Sequence, residues 1–595
     1  MYKYPLRAKG ISGLVFIVLI LSACSSGGAG SGTTSQLIVS AGADQSVDGA
    51  QSVVLQAGSN SPIAPSYHWS LLEAPSASML ASSDINGVNQ ARASFTPDVV
   101  GAYVFQVEAN VAGKQASDKT TVTVDHIWKV LGTAGISAQL LSDDISLTVA
   151  PDGTLYMAFA DASSNRAHVV KYDISSSRWV AVGNAGLLSA GPNPGANFIS
   201  IAVAPDGTPY IAYQHGTNGP VAVDEYDSGT LQWKSISSGL SSDGATYVSI
   251  AIAPDGTPYV AYKDTINGTV VVERYDSASG GWTGGSVPDA TTGGNPIYIV
   301  FTSIAVASDG TPYVAYENSN QLATVEKYDK NTPTWSLVGQ AGFSPGVVSY
   351  LSIDIGPDDV PYVAFQDANK GHGATVMKYD SSARVWTAVG DRGFSPHMAG
   401  KISLTISPSG SPYVAYGDVT NGDATGKLTV KKYDTGVNPS AWVNVGSSDF
   451  SANDATVATS VVVSQDGTPY VGYANGASYV TTVAHLTTIA PQVLAIHPGN
   501  GVLGVESTGT KISVRFDRAM NQGTLTGSTG RDNISLKDST GPVSVTSLSY
   551  DGSTHTLTFQ PASKLSGVVT VSLNNGIEDS NGNAFGGMTW SFKVQ

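Results

Sequence analysis

One phrase that returns along the middle of the chain constrains its fold more than any other feature. Its fullest copy runs from Pro254 to Tyr262 and reads PDGTPYVAY, and most copies are followed by a Tyr-Asp pair and a tryptophan. Asp-Gly between alternating apolar residues is a strong signal for a β-hairpin, because glycine adopts positive φ without a steric penalty. The phrase therefore predicts a series of similar β units.

The tryptophans give the length of the repeat. Seven of the nine are spaced by 49 to 56 residues: Trp128, Trp179, Trp233, Trp282, Trp335, Trp386 and Trp442. Each interval contains four candidate strands, with the Pro-Asp-Gly turn between the first two and the Tyr-Asp pair between the last two. Seven units of this size predict a seven-bladed β-propeller. The units resemble kelch or galactose-oxidase-like repeats.

The two ends of the array are incomplete in complementary ways. The seventh unit has a third strand, Val480 to Leu486, but no tryptophan after it, whereas the segment from Trp128 to Gly132 has no third strand before it. We expect the N-terminal segment to supply the fourth strand of the last blade, because this pairing removes an exposed edge.

Two rings of polar residues are predicted on the side of the disc away from the Asp-Gly turns, which we call the ring face. A serine begins each first strand: Ser146, Ser200, Ser249, Ser303, Ser352, Ser403 and Ser460. A second set ends each second strand and forms the candidate ligand-binding residues: Asp161, His215, Asp264, Asn318, Asp367, Asp418 and Asn475.

These rings leave two interpretations open. Carboxylates and amides around an axis suit sugar hydroxyls or a hard cation such as Ca²⁺, which prefers oxygen ligands. Serine, aspartate and asparagine also bond local backbone amides in the turns that connect strands. The local role is favoured because nearly every blade carries the pattern.

Departures from the repeat are therefore more informative. His215 replaces an acid, and a long connection is predicted from Gly284 to Val300 on the ring face. Equivalent loops contribute three phenylalanines, which form either a contact rim or, as is more common, plugs between blades: Phe343, Phe394 and Phe450.

The residues give little support to an enzyme. A sialidase-like site needs three arginines to clamp a carboxylate, and after scaffold positions are set aside only Arg166 and Arg392 remain in the propeller. The galactose oxidase arrangement needs a second cysteine, whereas this chain contains a single cysteine. Paired acids for glycoside hydrolysis remain open, because their separation is set by the tertiary structure. The sequence therefore predicts no catalytic residue and no required cofactor.

A smaller β domain is predicted before the array, over residues 36–125. The alternation of Tyr103, Phe105 and Val107 predicts a half-buried strand. This region resembles the polycystic-kidney-disease (PKD) type of immunoglobulin-like domain, in the phrase AGADQ at 41–45 and in FTPDVVGAY at 95–103, although the usual WDFGDG phrase is replaced by YHWS. Trp69 is expected in the core of such a sandwich.

Another β domain is predicted after the array, over residues 489–595. The segments KISVRFDRAM at 511–520, IEDSNGN at 577–583 and Trp590-Ser591-Phe592 resemble the bacterial immunoglobulin-like domain known from S-layer proteins. Asp579, Asn581 and Asn583 are spaced like the start of a Ca²⁺ loop, but position twelve is Trp590 rather than glutamate, so a turn is favoured.

The N-terminus predicts export and lipid anchoring. Three cations precede an apolar run of about a dozen residues, which suits a signal peptide at 1–23 rather than a spanning helix. Leu21-Ser22-Ala23-Cys24 resembles the bacterial lipobox, and the resemblance implies that Cys24, the only cysteine, is acylated. The same resemblance implies the outer membrane, because serine stands at position 25 where such lipoproteins carry aspartate when they are retained in the inner membrane. Residues 24–35, rich in glycine and serine, predict a flexible tether.

Net charge narrows the choice of partner. The formal charge is −16, whereas nucleic acid requires a basic patch to neutralise phosphates, so nucleic acid is not expected. We predict an all-β chain: a seven-bladed β-propeller at 126–488 flanked by two Ig-like β-sandwich domains. The favoured function is surface binding or adhesion to a glycan or protein, and the alternatives are a carbohydrate-active enzyme with a ring-face site and a purely structural envelope protein.

Overall fold

Nearly all the regular structure is β. The computed structural model describes residues 36–595 except 50–51, 76–77, 133–135, 137–139, 162–163, 165, 184–194, 238–239, 242–243, 289–299, 331, 420–425, 436–438, 452–455, 466, 476–479, 489–490, 492, 500, 517–519, 527–532, 553, 575, 579–584, 586 and 595. At 48, 140–144, 456–457, 475, 488 and 494 only the backbone is described. The described part contains one short α-helix, α1 (Gln522–Thr526), and two 3₁₀ turns, Ser82–Asp84 and Ala368–Lys370. The predicted all-β class is confirmed.

The N-terminal domain is a sandwich built around aromatic side chains. Trp69, Tyr103 and Phe105 are completely buried, so Trp69 is a core residue as predicted, and its indole N–H donates to the Gln90 carbonyl at 3.0 Å. The strands are β1 (Val39–Ser40), β2 (Gln45–Asp48), β3 (Val53–Gln56), β4 (Gly58–Ser59), β5 (Ser66–Glu73), β6 (Arg92–Phe95), β7 (Gly101–Val111) and β8 (Lys114–Val130).

Strand β8 belongs to two domains. Its first part pairs antiparallel with β7, from Lys114 to Val124, and its last part, from His126 to Val130, pairs with a strand near the end of the array. The predicted boundary at 125/126 therefore lies inside a single strand of 17 residues rather than in a linker. One seven-stranded sheet runs from the sandwich into the propeller.

Six blades are four-stranded antiparallel sheets in sequence order. Their first strands pack against one another from blade to blade, so the first strands surround the axis. The strands are β9 (Leu140–Val149), β10 (Leu155–Asp161), β11 (Arg166–Asp173), β12 (Arg178–Ala181); β13 (Ala196–Val203), β14 (Pro209–His215), β15 (Val221–Asp227), β16 (Gln232–Ser235); β17 (Ala245–Ile252), β18 (Pro258–Asp264), β19 (Thr269–Asp276), β20 (Gly281–Val287); β21 (Val300–Val306), β22 (Pro312–Glu317), β23 (Ala323–Asp329), β24 (Thr334–Leu337); β25 (Val348–Ile355), β26 (Pro361–Asp367), β27 (Gly373–Asp380), β28 (Val385–Ala388); β29 (Met398–Ile406), β30 (Pro412–Val419), β31 (Lys427–Asp434) and β32 (Ala441–Asn444).

The seventh blade closes the circle as predicted. It comprises β33 (Thr456–Val463), β34 (Pro469–Asn475) and β35 (Val480–Thr488), with β8 as the fourth strand. Trp128 pairs with Leu486, and the Thr487 hydroxyl donates to the Ile127 carbonyl at 2.9 Å across 360 residues of chain. Closure leaves the last blade without the free edge that a broken ring would expose.

Aromatic residues fix the outer part of each blade. Tyrosine and tryptophan pair across the third and fourth strands, as in Tyr226 with Trp233, whose rings lie 5.3 Å apart. The Trp233 indole N–H also donates to the Val182 carbonyl of the preceding blade at 2.7 Å. The same inter-blade bond recurs at Trp128, Trp179, Trp282, Trp386 and Trp442. The repeated tryptophan is therefore scaffold.

The C-terminal domain is a second sandwich of two sheets. Phe516, Phe559 and Trp590 lie in its core. The strands are β36 (Val493–His497), β37 (Leu503–Val505), β38 (Ile512–Phe516), β39 (Ile534–Asp538), β40 (Gly541–Val543), β41 (Val545–Asp551), β42 (Thr556–Pro561), β43 (Val568–Leu573) and β44 (Met588–Val594). The Ca²⁺ loop considered at 579–583 lies outside the described residues. Among the residues that are described, no helix has the length and apolar character needed to cross a membrane.

Candidate functional site

The serine ring of the ring face is a closed circuit of bonds between blades. Each serine Oγ accepts the backbone N–H of the residue after the equivalent serine in the next blade. Ile201 donates to Ser146 at 3.1 Å, and the circuit ends where Leu147 donates to Ser460 at 2.9 Å. The other five bonds measure 3.1 to 3.3 Å: Ile250 to Ser200, Ile304 to Ser249, Ile353 to Ser303, Leu404 to Ser352 and Val461 to Ser403.

This circuit assigns the serines to the scaffold. Bonds to local loop amides were expected as the structural alternative, whereas the observed partner belongs to the neighbouring blade. The difference arises because the first strands lie side by side around the axis, so each serine hydroxyl reaches a backbone amide of the first strand of the next blade. One hydrogen bond of this kind contributes about 1 kcal/mol.

The members of the second ring whose side chains are hydrogen-bonded find their partners in their own blade or its connecting loops. Asp264 accepts from the N–H groups of Ile266 and Asn267 at 2.8 and 3.0 Å. Asn318 is fully buried and accepts from the N–H groups of Asn320 and Leu322 at 2.9 and 3.1 Å. Both positions therefore shape the turn between the second and third strands.

Buried acids of this ring pair with nearby cations or imidazoles. Asp367 has no exposed surface and accepts from Arg392 Nε and Nη2 at 3.0 and 2.6 Å. Asp161 accepts from the Ser164 N–H at 3.0 Å and lies 4.0 Å from His168 Nε2. Burial lowers the pKa of His168. Arg392 was one of the two arginines left as candidates for binding a ligand carboxylate, and its guanidinium group binds the buried Asp367 instead.

The remaining members of the second ring are His215, Asp418 and Asn475. His215 is half-buried, and its Nε2 has no hydrogen-bond partner among the described residues. Asp418 is buried and lies 2.9 Å from Nδ1 of the half-exposed His397; burial raises the pKa of Asp418. Asn475 ends β34, but its side chain lies outside the described part.

The loop phenylalanines plug the gaps between blades. Phe343 stacks on Trp386 with ring centroids 4.3 Å apart, Phe394 on Trp442 at 4.1 Å and Phe450 on Trp128 at 4.7 Å. A contact rim is therefore wrong, and the packing alternative is confirmed. The predicted long connection also begins later than Gly284, because β20 continues to Val287 by pairing with β19; residues 289–299 lie outside the description.

A row of aromatic side chains, which the sequence repeat did not reveal, lies on the first strands around the axis. Two residues before the repeated serine, four consecutive blades carry an aromatic residue and the fifth carries a lysine, which we name the axial collar: Phe198, Tyr247, Phe301, Tyr350 and Lys401. Neighbouring rings lie 5.0, 5.1 and 5.5 Å apart. The Lys401 ammonium lies 5.5 Å from the centre of the Tyr350 ring.

All five collar residues adopt a strained backbone. Their φ angles lie between 51° and 53°, and each falls at a register shift of the first strand against the second. Left-handed backbone costs a bulky residue about 1–2 kcal/mol. All five side chains are half-buried rather than sealed in the core. The sequence signal is an aromatic residue that recurs two positions before the repeated serine. None of the five left-handed residues is glycine or asparagine, so residue type did not reveal the bend.

The described residues contain no group of three or more histidine, cysteine, aspartate or glutamate side chains suited to a metal ion. One acid of the first strands is Asp354, two residues after Ser352, which accepts from the Ile355 and Ile406 N–H groups at 2.8 and 2.7 Å. Both oxygens are thereby engaged by backbone amides.

Comparisons with known families identify the two flanking domains. Residues 41–124 match a family model of the PKD domain, and residues 487–594 match that of the bacterial Ig-like domain. Both resemblances inferred from the sequence are therefore confirmed. A search of curated proteins gave no match.

Solved structures with similar architecture have diverse activities. A fungal alcohol oxidase in complex with copper is 13% identical, with 78% of this chain and 100% of that chain covered and a TM-score of 0.40. An ulvan lyase is 11% identical (60% and 95% covered, TM-score 0.40), and the SapL1 lectin with α-methyl fucoside is 15% identical (53% and 99%, 0.37). Similarities this weak say nothing about activity here. The chain thus carries a PKD domain and a bacterial Ig-like domain on either side of a seven-bladed propeller.

Proposed function

We propose that this chain is a lipid-anchored surface protein whose propeller binds glycans at the axial collar. The observation that carries the proposal is the row of four aromatic rings from Phe198 to Tyr350, held half-buried on the ring-face half of the first strands. The flat, electron-rich face of an aromatic ring suits the C–H face of a sugar ring. A protein ligand is the competing occupant.

The backbone strain supports a role beyond packing. Five left-handed residues together cost several kcal/mol at about 1–2 kcal/mol each, and such strain tends to accumulate where a site requires it. Lys401 adds a cationic donor at one end of the row. An arrangement of apolar faces with a single polar end is typical of sites that bind small molecules with a fixed orientation.

The test removes one ring without adding strain. Phe301→Asn deletes the aromatic face, and asparagine tolerates positive φ better than most residues. The matched control is Leu231→Asn, because Leu231 also has a left-handed backbone, with φ 57°, is 63% exposed, and lies in a turn on the opposite face. Binding of the full chain to a glycan array should fall at least about ten-fold for the first variant, as for a buried anchor, and remain unchanged for the second.

Three outcomes separate the alternatives. Equal glycan binding by wild type and Phe301→Asn would refute the collar. Hydrolysis of the same polysaccharides, abolished by Asp161, Asp264, Asp367 or Asp418→Asn, would instead favour a carbohydrate-active enzyme. Absence of any bound glycan or protein would favour a structural envelope role.

Anchoring through Cys24 is proposed from the sequence alone, since residues 1–35 lie outside the described part. Two or more acyl chains would hold the protein firmly, at about 0.8 kcal/mol per buried CH₂. Cys24→Ala should move the protein from the outer-membrane fraction to the soluble fraction and abolish labelling by a radioactive fatty acid. Labelling that survives the substitution would refute the anchor.

A structural Ca²⁺ remains a prediction from the oxygen-rich ring. Melting of the full chain in Ca²⁺ and in EDTA tests it directly. A higher melting temperature in Ca²⁺ would support the ion, and identical curves would refute it.

A further inference from the structure

Blade six contains a cleft that breaks the symmetry of the propeller. The cavity has a volume of about 200 Å³, and Phe394 and Pro396 form its apolar lining. Its polar lining consists of Tyr416, Asp418, Thr429, Lys431, Asn444 and Ser448. We call it the blade-six cleft.

Three other blades show what this position ordinarily contains. There the second aromatic residue of the second strand is a tyrosine whose hydroxyl donates to a carboxylate of the third strand. The pairs are Tyr213 with Asp224 at 3.0 Å, Tyr262 with Glu273 at 3.3 Å and Tyr316 with Glu326 at 2.8 Å. The carboxylate therefore satisfies a hydroxyl that the blade buries.

Blade six keeps the tyrosine and loses the acceptor. Lys431 takes the position of the acid, opposite Val414 in the register where Asp224 faces Ile211. The Tyr416 side chain has no exposed surface, and its hydroxyl has no hydrogen-bond partner among the described residues. A buried hydroxyl without a partner destabilises the folded state, because it has lost its hydrogen bonds to water. The lining of the cleft thus contains a buried hydroxyl without an acceptor and an ammonium group in place of the usual carboxylate.

An acceptor-rich anion does not suit the rest of the cleft. The Asp418 carboxylate lines it as well; burial raises the pKa of both Asp418 and Tyr416, and the charge of Asp449 adds to both shifts. Burial lowers the pKa of Lys431, and attraction to Asp418 opposes that effect. Opposite charges inside one small cavity favour a neutral ligand that both donates and accepts hydrogen bonds.

We propose that the blade-six cleft binds one neutral sugar residue. Its hydroxyl oxygens accept from Tyr416 and Lys431, and its hydroxyl hydrogens are donated to Asp418 and to the Asn444 carbonyl oxygen. The site deepens the proposed function, on which it rests for the class of ligand, but it is separate from the axial collar.

The test uses the full chain with neutral methyl glycosides of glucose, galactose, mannose and fucose, and with glucuronate as the charged comparator. Binding is measured by calorimetry and by saturation-transfer NMR. Tyr416→Phe removes only the unpartnered hydroxyl, so it should weaken binding of the preferred glycoside at least about ten-fold, as expected for a lost bond in a buried site. Its melting temperature should stay equal to or above that of the wild type.

Matched variants separate binding from folding. Tyr213→Phe breaks a satisfied bond in blade two, so it should lower stability and leave glycoside binding unchanged. Lys431→Gln replaces the ammonium with an amide whose oxygen can accept from Tyr416, so it should also weaken binding at least about ten-fold. Preference for glucuronate, or unchanged affinity in Tyr416→Phe, would overturn the proposal. Collar-dependent polysaccharide binding without any glycoside binding would overturn the cleft alone and leave the proposed function standing.

Discussion

Closure of the propeller makes a strong prediction at Trp128. The side chain is half-buried, stacks on Phe450 with an interplanar angle of 9°, and donates to the Val445 carbonyl at 2.7 Å. Removing a fully buried tryptophan costs about 3–5 kcal/mol, so Trp128→Ala should cost about 3 kcal/mol of unfolding free energy. Trp128→Phe retains most of the ring stacking and loses the N–H bond, which should cost about 1 kcal/mol.

The assay combines urea unfolding, followed by circular dichroism, with hydrogen exchange. Trp442→Ala is the control, because Trp442 makes the same two kinds of contact, to Phe394 and Val389, inside a blade whose four strands are consecutive in sequence. Both variants should lose similar stability, but only Trp128→Ala should deprotect the amides of β35, since β8 reaches that strand without a connecting turn. The closure would be refuted if Trp128→Ala unfolded in urea and exchanged its amide hydrogens like the wild type. Deleting Trp128 to Gly132 should lower the melting temperature by far more than deleting a surface loop.

Two further predictions concern buried acids. Burial raises the pKa of Asp354 from 3.8 to about 6, so the folded state retains the proton at higher pH and its stability should fall as pH rises from about 4 to about 6. Asp354→Asn should remove up to about 3 kcal/mol of that fall in the unfolding free energy. Stability–pH curves of equal slope for the wild type and the variant would contradict this prediction. Arg392→Ala leaves the Asp367 carboxylate buried without its cation and should destabilise the protein by about 3 kcal/mol in urea, whereas Arg178→Ala, at an exposed position, should cost less than about 0.5 kcal/mol.

The sequence by itself determined the architecture. The Asp-Gly turn from Pro254 to Tyr262 defines a hairpin through local backbone preference, and the tryptophan spacing counts the blades. Comparison with the repeat also predicted the closure. The last unit has no tryptophan strand after Leu486, and the segment at Trp128 supplies a strand that belongs to no earlier unit. The Ig-like domains were likewise recognisable from short phrases.

Only the tertiary structure decided which polar residues are free to act. Ser352 and Asp367 satisfied the pattern expected of a site, yet the first bonds an adjacent blade and the second a buried arginine. Tyr416, by contrast, looked like any other tyrosine of the repeated phrase. Its difference depends on Lys431, fifteen residues further along the chain, which stands on the paired strand where three other blades carry an acid. Whether a buried donor has an acceptor is a property of three-dimensional neighbours, and no local pattern encodes it.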